Sequence, residues 1–397
     1  MKEVKIGDIC EVTSSKRIYA SEYKESGIPF YRSREIIEKS NNKNISEQLY
    51  ISEERFKELK NKFGAPTTGD ILLTSVGTLG IPYIVKEDDE FYFKDGNLTW
   101  MKNFSNDIIP EYLYYWLSSD FGKKPLIARA IGSSQGAITI DILKKYKILM
   151  PEVNIQIKII NILKNMDYLL NNNNRRIFLL EQMAEEIYKN FFAYHKIKNN
   201  SEEKKLGKIL DFQRGISYSS EEINCEDGSN LINLKNINAY GGFRRDGTKK
   251  YDGKYKESQI VKSGDLIMGV TDMTQDRRTV GSVALIPTIE GTSVISADLV
   301  KVDSKIDNTF LYAMFKYGNL SKYISQFANG ANVLHLKPQS ISNIKVQLPN
   351  IELINSYVKV VKPIIEEIDK LNLQNDNLTK QRDLLLPRLM SGKLEVK

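Results

Sequence analysis

Two cysteines and two histidines are all that the 397 residues contain. Cys10 and Cys225 lie far apart with no CxxC spacing, so neither a disulfide framework nor a zinc site is indicated, and a reducing cytoplasm is the expected compartment. His195 and His335 alone give little material for a hydrolytic triad or a histidine metal cluster. There is no Asp/Asn-Pro-Pro-Tyr/Phe motif of an amino-methyltransferase and no G-x-x-x-x-G-K-[ST] phosphate loop. Carboxylate pairs such as Asp88-Asp89 and Glu366-Glu367 read as solvated turns and faces. No catalytic residue, metal ligand or bound cofactor is therefore assigned. No apolar run approaches the roughly eighteen residues of a membrane span. The opening MKEVKIGD lacks the apolar core of an export signal, so a soluble, unexported protein with no membrane partner is expected.

What is present is a globular composition, 41% hydrophobic, with a net charge of +7. That surplus favours nucleic acid or another acidic surface as partner without proving either. The chain also repeats itself. KIGDI (5–9) answers to KLGKI (205–209), FYRSREI (30–36) to LINLKNI (231–237), Gly69-Asp70 to Gly264-Asp265, and KILMP (147–151) to KVQLP (345–349). The offset stays close to two hundred residues throughout. One module of about half the chain is duplicated, which is not the signature of a short solenoid repeat.

Each copy has two textures. Residues 1–151 and 201–349 carry short β-rich runs such as DILLTSV, IPYIV and TSVISADLVKV between Gly, Asn and Asp turns, and predict mixed α+β globules. Within them 110–127 and 308–324 predict helices with core-facing aromatic stripes. Residues 152–200 and 350–397 hold long helices and a carboxy-terminal tail. Ile159, Leu163, Met166, Leu170, Ile177, Leu180, Ala184, Ile187 and Phe191 keep a heptad alternation, as do Tyr357, Val361, Ile364, Ile368, Leu371, Leu378, Leu385 and Leu389. Such repeats predict an antiparallel coiled-coil seam. Setting Asn173 against Asn375 as register residues places Phe191 opposite Tyr357 and Ile159 opposite Leu389. The second globule would then bridge one end of a rod ~50 Å long, with the first at its other end. Globules so spaced could reach successive major grooves, ~34 to 36 Å apart, on one face of a duplex.

The duplicated GDI/GDL strand, the KILMP and KVQLP phrases before each long helix and the tail LLLPRLMSGKLEV (384–396) resemble the specificity (S) subunit of Type I restriction-modification enzymes. The resemblance covers essentially the whole chain. It implies two target recognition domains, each followed by a long helix, the helices packing antiparallel. It further implies a non-catalytic subunit reading a bipartite double-stranded DNA target. Its partners would be two methyltransferase (M) subunits using S-adenosylmethionine and restriction (R) subunits using ATP, so that these cofactors and Mg sit on partners. A coiled-coil scaffold, an orphan S-like DNA-binding protein without catalytic partners, and a fused restriction or modification enzyme are the competing readings.

Base edges are read by Arg, Lys, Asn, Gln, Ser and Thr, and phosphates are held by cations, hydroxyls and backbone amides. Three paired segments carry such residues. The first is Arg32, Ser33 and Arg34, aligned with Asn233, Lys235 and Asn236. The second is Thr74, Ser75, Gly77 and Thr78, aligned with Thr271, Asp272, Thr274, Gln275, Arg277 and Arg278. The third is Arg129, Ser133, Ser134 and Gln135, in the place of Asn329, Asn332, His335 and Lys337.

Overall fold

The computed structural model describes residues 1–41, 45–132, 136–192, 201–223 and 225–394. The chain forms two compact units, one of residues 1–171 with 375–397 and the other of residues 172–374. Among the described residues no helix is long and apolar enough to cross a membrane.

In the first unit Lys2–Lys5 pairs antiparallel with Lys147–Met150. A four-stranded antiparallel sheet follows the order Glu11–Thr13, Leu98–Lys102, Ile71–Thr74, Pro82–Ile84. A smaller sheet sets Ile28–Tyr31 between Leu49–Ile51 and a parallel Tyr92–Phe93. The second unit repeats this plan. Ser201–Lys205 pairs with Lys345–Pro349. Its main sheet runs Asp211–Arg214, Leu299–Asp303, Leu266–Gly269, Val283–Leu285. In its smaller sheet Ser229–Ile232 again pairs antiparallel with one neighbour, Lys249–Tyr251, and parallel with the other, Ser293–Ile295. The inserts differ: Glu53–Phe63, capped by the Ser52 side chain, is a helix of the first unit alone among the described residues.

The repeated Gly-Asp has a specific task. Gly69 and Gly264 stand at φ +88° and +87°, where a side chain would be strained although nothing lies within 4 Å of a Cβ. Each glycine turns the chain into the buried central strand Ile71–Thr74 or Leu266–Gly269. The aspartate then closes the turn: Asp70 Oδ2 accepts from Thr67 N–H at 2.9 Å, and Asp265 Oδ2 from Lys262 N–H at 2.9 Å. Asp70 also accepts from Trp100 Nε1 at 2.9 Å. Burial pushes its carboxyl up, against the pull of the Thr67 and Trp100 hydrogen bonds.

The aromatic segments expected as single helices are each broken. Pro110–Ser118 ends where Ser119 turns out of helical geometry and caps Asp120–Ile127, and Asn308–Lys316 is separated from Leu320–Ser325 by Asn319 in the left-handed region. Their apolar faces fill the core as expected, with Tyr112, Leu113 and Trp116 in one unit and Phe310, Leu311 and Phe315 in the other.

Two long helices, Val153–Phe191 and Ile351–Met390, carry the heptads. In the first unit Ile159, Ile160 and Leu163 from early in one helix share a core with Leu386, Leu389 and Met390 from late in the other. Arg382 there donates to Asp167 at 3.4 Å. In the second unit the order reverses, and Phe191 meets Tyr357 edge to face with ring centroids 5.6 Å apart. Each pairing is antiparallel, and the expected Phe191–Tyr357 match is present. Of the register asparagines, Asn173 is buried in the second unit and donates to Gln374 at 3.4 Å, while Asn375 is half-buried in the first.

Candidate nucleic-acid interface

In the second unit Thr271–Asp272 pairs antiparallel with Leu334–His335, which brings two of the three expected segments together. Asp272, 2% exposed, organises the loop that follows. Its Oδ1 accepts from the Thr274 N–H and hydroxyl, both at 2.9 Å, and its Oδ2 from Thr279 N–H at 2.7 Å and Val280 N–H at 3.2 Å. Burial works against ionisation, yet the backbone hydrogen bonds from Thr279 and Thr274 hold this carboxyl below the usual range. The Gln275 amide donates to Ala331 O at 2.8 Å, and Arg277 Nη1 to Ser325 O at 3.2 Å and Gln326 O at 3.1 Å. Thr271, Asp272, Gln275 and Arg277 thus brace the loop from within. Met273, Thr274, Arg278, Asn329, Asn332, His335 and Lys337 are exposed. Arg278 pairs with Asp276, and Asn329 Nδ2 donates to Phe327 O at 3.2 Å.

Because the folded Asp272 carboxyl is depressed, its contribution is present above the ordinary carboxylate range and is lost as pH falls through the folded value. Asp272→Asn places an amide where two N–H donors need an acceptor, at a cost of ~1 to 3 kcal/mol. Hydrogen exchange at Thr279 and Val280 should rise in that variant at neutral pH and lose its acid-dependent step. Unchanged protection would show that another group holds the loop.

The first segment is more structural than its composition suggests. Asn233 and Asn236 are buried: Asn233 Nδ2 donates to Gly247 O at 2.8 Å, and Asn236 Nδ2 to Arg244 O and Thr248 Oγ1, both at 2.8 Å. Lys235 stands exposed beside them. In the first unit the half-buried Arg32 guanidinium donates to fully buried Glu35 at 2.6 Å, and this hydrogen bond pushes the Arg32 pKa up. Ser33 donates to Asn97 O at 3.3 Å, and exposed Arg34 meets Ser46 Oγ at 2.7 Å and Glu47 at 3.3 Å.

Thr74 and Ser75 are likewise buried. Thr74 Oγ1 accepts from Ile81 N–H at 2.9 Å, and Ser75 shares a 2.6 Å hydrogen bond with Thr99. Only Gly77 and Thr78 of this segment reach the surface, at a turn tip. Val76 bridges Ala137 and Ser75 O accepts from Ile138 N–H at 2.9 Å, so the second and third segments adjoin here too. Arg129 is exposed, its guanidinium 5.1 Å from the Tyr146 ring centroid. Ser133, Ser134 and Gln135 lie outside the described residues, as does His195.

Two features escape a reading based on polar loop residues. A cleft of about 720 Å³ in the second unit has Thr271, His335 and Lys337 on its wall together with Arg214, Asp211 and Asp298. Arg214 ends a strand, not a loop, and no ion pair engages Arg214 or Lys337 among the described residues. Met273 sits at the start of the braced loop, yet an apolar side chain is invisible to a search for donors and acceptors. Among the described residues no group of three or more His, Cys, Asp or Glu is placed to hold a metal ion.

Residues 1–182 match the Type I restriction modification DNA specificity domain. A putative type I restriction enzyme specificity subunit from Haemophilus influenzae is 31% identical over 188 residues, 47% of this chain, and the match spans about half, 46%, of that protein's length. The type I restriction enzyme MjaIX specificity subunit of Methanocaldococcus jannaschii is 27% identical over 83% of this chain and 78% of its own. The crystal structure of a Type-I restriction-modification system S subunit from M. genitalium superposes with a TM-score of 0.63 at 17% identity, covering 100% of this chain and 96% of that one. It bears out the fold: mixed α+β, with two sheet-rich globules and two long antiparallel helices.

Proposed function

We propose that this chain is a specificity subunit of a type I restriction enzyme, as the proteins it matches are, and that each globule reads one half of a bipartite duplex target. The paired long helices set the spacing between the halves and dock two methyltransferase subunits. S-adenosylmethionine, ATP and Mg²⁺ then belong to methyltransferase and restriction partners, and this chain contributes recognition, not chemistry.

The observation that carries the reading is the duplicated strand order with unlike loops. The same sheet holds Gly77 and Thr78 out at one place and a braced six-residue loop, Met273–Arg278, at its counterpart. Equal frames with different edges suit two half-sites of different sequence. A scaffold for two identical partners would have no use for that divergence.

Genome-wide adenine methylation mapped with this gene present and absent tests the proposal. A bipartite motif with an unread spacer should disappear with the gene. An unchanged methylome despite an active methyltransferase partner would refute it.

Arg214 and Lys337 are suited to phosphates, since both stand on a cleft wall as cations that no ion pair engages among the described residues. Replacing either with alanine should weaken all duplexes alike and lower the slope of log affinity against log salt by about 1. Titrations at several salt concentrations measure it. A change in target preference with the slope intact would instead make that residue a base reader.

A further inference from the structure

The most exposed large apolar side chain among the described residues is Met273, at 70%, and it stands on the loop expected to meet DNA. Taking the proposed function as given, we infer that Met273 reads the C5 methyl group of a thymine in the half-target of the second globule.

Rigidity is the first argument. The loop is held at its base by the four hydrogen bonds to Asp272, in its middle by Gln275 and Arg277, and at its far end where Arg278 O accepts from Tyr240 N–H at 2.9 Å. Arg277 occupies the left-handed region at φ 54°, a conformation kept only where the surroundings enforce it. A methionine on a slack loop folds back onto apolar surface. This backbone is held at both ends and in the middle, and Met273 stays in water.

Its surroundings supply the second argument. Thr274 and Arg278 on the same loop, and Asn332 and His335 on the segment paired with it, are exposed donors and acceptors. A surface that only held phosphates would gain nothing from a thioether among them. In the major groove the one apolar feature that distinguishes base pairs is the thymine methyl, which no hydrogen bond can recognise. Unbranched methionine, with three rotatable bonds and a polarisable sulfur, adapts to such a contact.

The test uses the full chain with its methyltransferase partners and the duplex carrying the motif found by methylation mapping. Each thymine of the motif is replaced in turn by uracil, which lacks only the C5 methyl. One replacement should weaken wild-type binding about fourfold, the worth of one buried methyl-sized group. The Met273→Ala complex should bind that uracil duplex and the parent equally, while Met273→Leu keeps the preference. Met273 is exposed, so both variants should melt as the wild type does. A wild-type complex that selects the motif but ignores every uracil overturns the assignment, as does a uracil effect that Met273→Ala leaves intact. A complex that selects no duplex at all overturns the function and the assignment with it.

Discussion

Tyr357→Ala should destabilise the second unit by ~3 to 5 kcal/mol, whereas Tyr357→Phe should cost nothing or add stability. Tyr357 is fully buried at the point where the two long helices meet the globule core of that unit. Its ring lies 5.6 Å from Phe191, 5.1 Å from Phe192, 5.9 Å from Tyr188 and 6.3 Å from Phe310, all edge to face. Alanine opens a cavity among four rings whose own geometry depends on the fifth. The hydroxyl tells the opposite story, because it has no hydrogen-bond partner among the described residues. An unpaired buried hydroxyl costs ~1 to 3 kcal/mol, so its removal should offset the small void that phenylalanine leaves.

Denaturant unfolding followed by far-ultraviolet dichroism measures both variants. Trp100 and Trp116, the only tryptophans, lie in the first unit. Their fluorescence transition should therefore stay in place while the second unit's moves. Equal losses in the two variants would show that the hydroxyl, not the ring, supports the packing.

Gly330→Val should sharply weaken reading by the second globule. Gly330 has φ +150°, and a Cβ there would sit 1.9 Å from Val333 O and 2.8 Å from its carbonyl carbon. No rotamer relieves a backbone collision. The turn it occupies is closed by Asn329 and His335, which exchange backbone hydrogen bonds of 3.0 and 2.9 Å. Valine must open that turn, carrying Asn332 and His335 away and releasing the Ala331 carbonyl that holds Gln275.

Backbone strain of this kind costs of order 1–3 kcal/mol, and the collision adds to it, so affinity for the full target should fall about 100-fold. Gly264→Ala is the control. It shares a positive φ, but nothing stands within 4 Å of its Cβ, so it should lose ~1 kcal/mol of stability and keep its selectivity. Selective binding retained by Gly330→Val would mean that the 329–337 segment does not touch the target.

The architecture was legible because it rests on features that sequence displays directly. Gly-Asp written twice marks a left-handed turn into a buried strand, and both copies have nearly the same φ. Heptad spacing and one assumed asparagine register sufficed to set Phe191 against Tyr357. The interface was less legible, for a reason that lies in side-chain chemistry. An asparagine or aspartate in a loop can turn its hydrogen bonds outward to a ligand or inward to its own backbone. Asp272, Asn233 and Asn236 turn inward, and the guanidinium of Arg277 is spent on two carbonyls. Glu35, three residues past Arg32, was the available sign that this arginine closes a helix start. For Met273 there was no sign in the sequence, because exposure is decided by what the rest of the loop is tied to.

The first unit is assembled from two pieces of chain, 1–171 and 375–397, while the second is continuous. On the ribosome this imposes an order. Leu386, Leu389 and Met390 belong to the core that also holds Ile159, Ile160 and Leu163. Those early side chains lack that part of their packing while more than two hundred residues are translated. The unit made first is completed last, when Leu386, Leu389 and Met390 arrive to close its core.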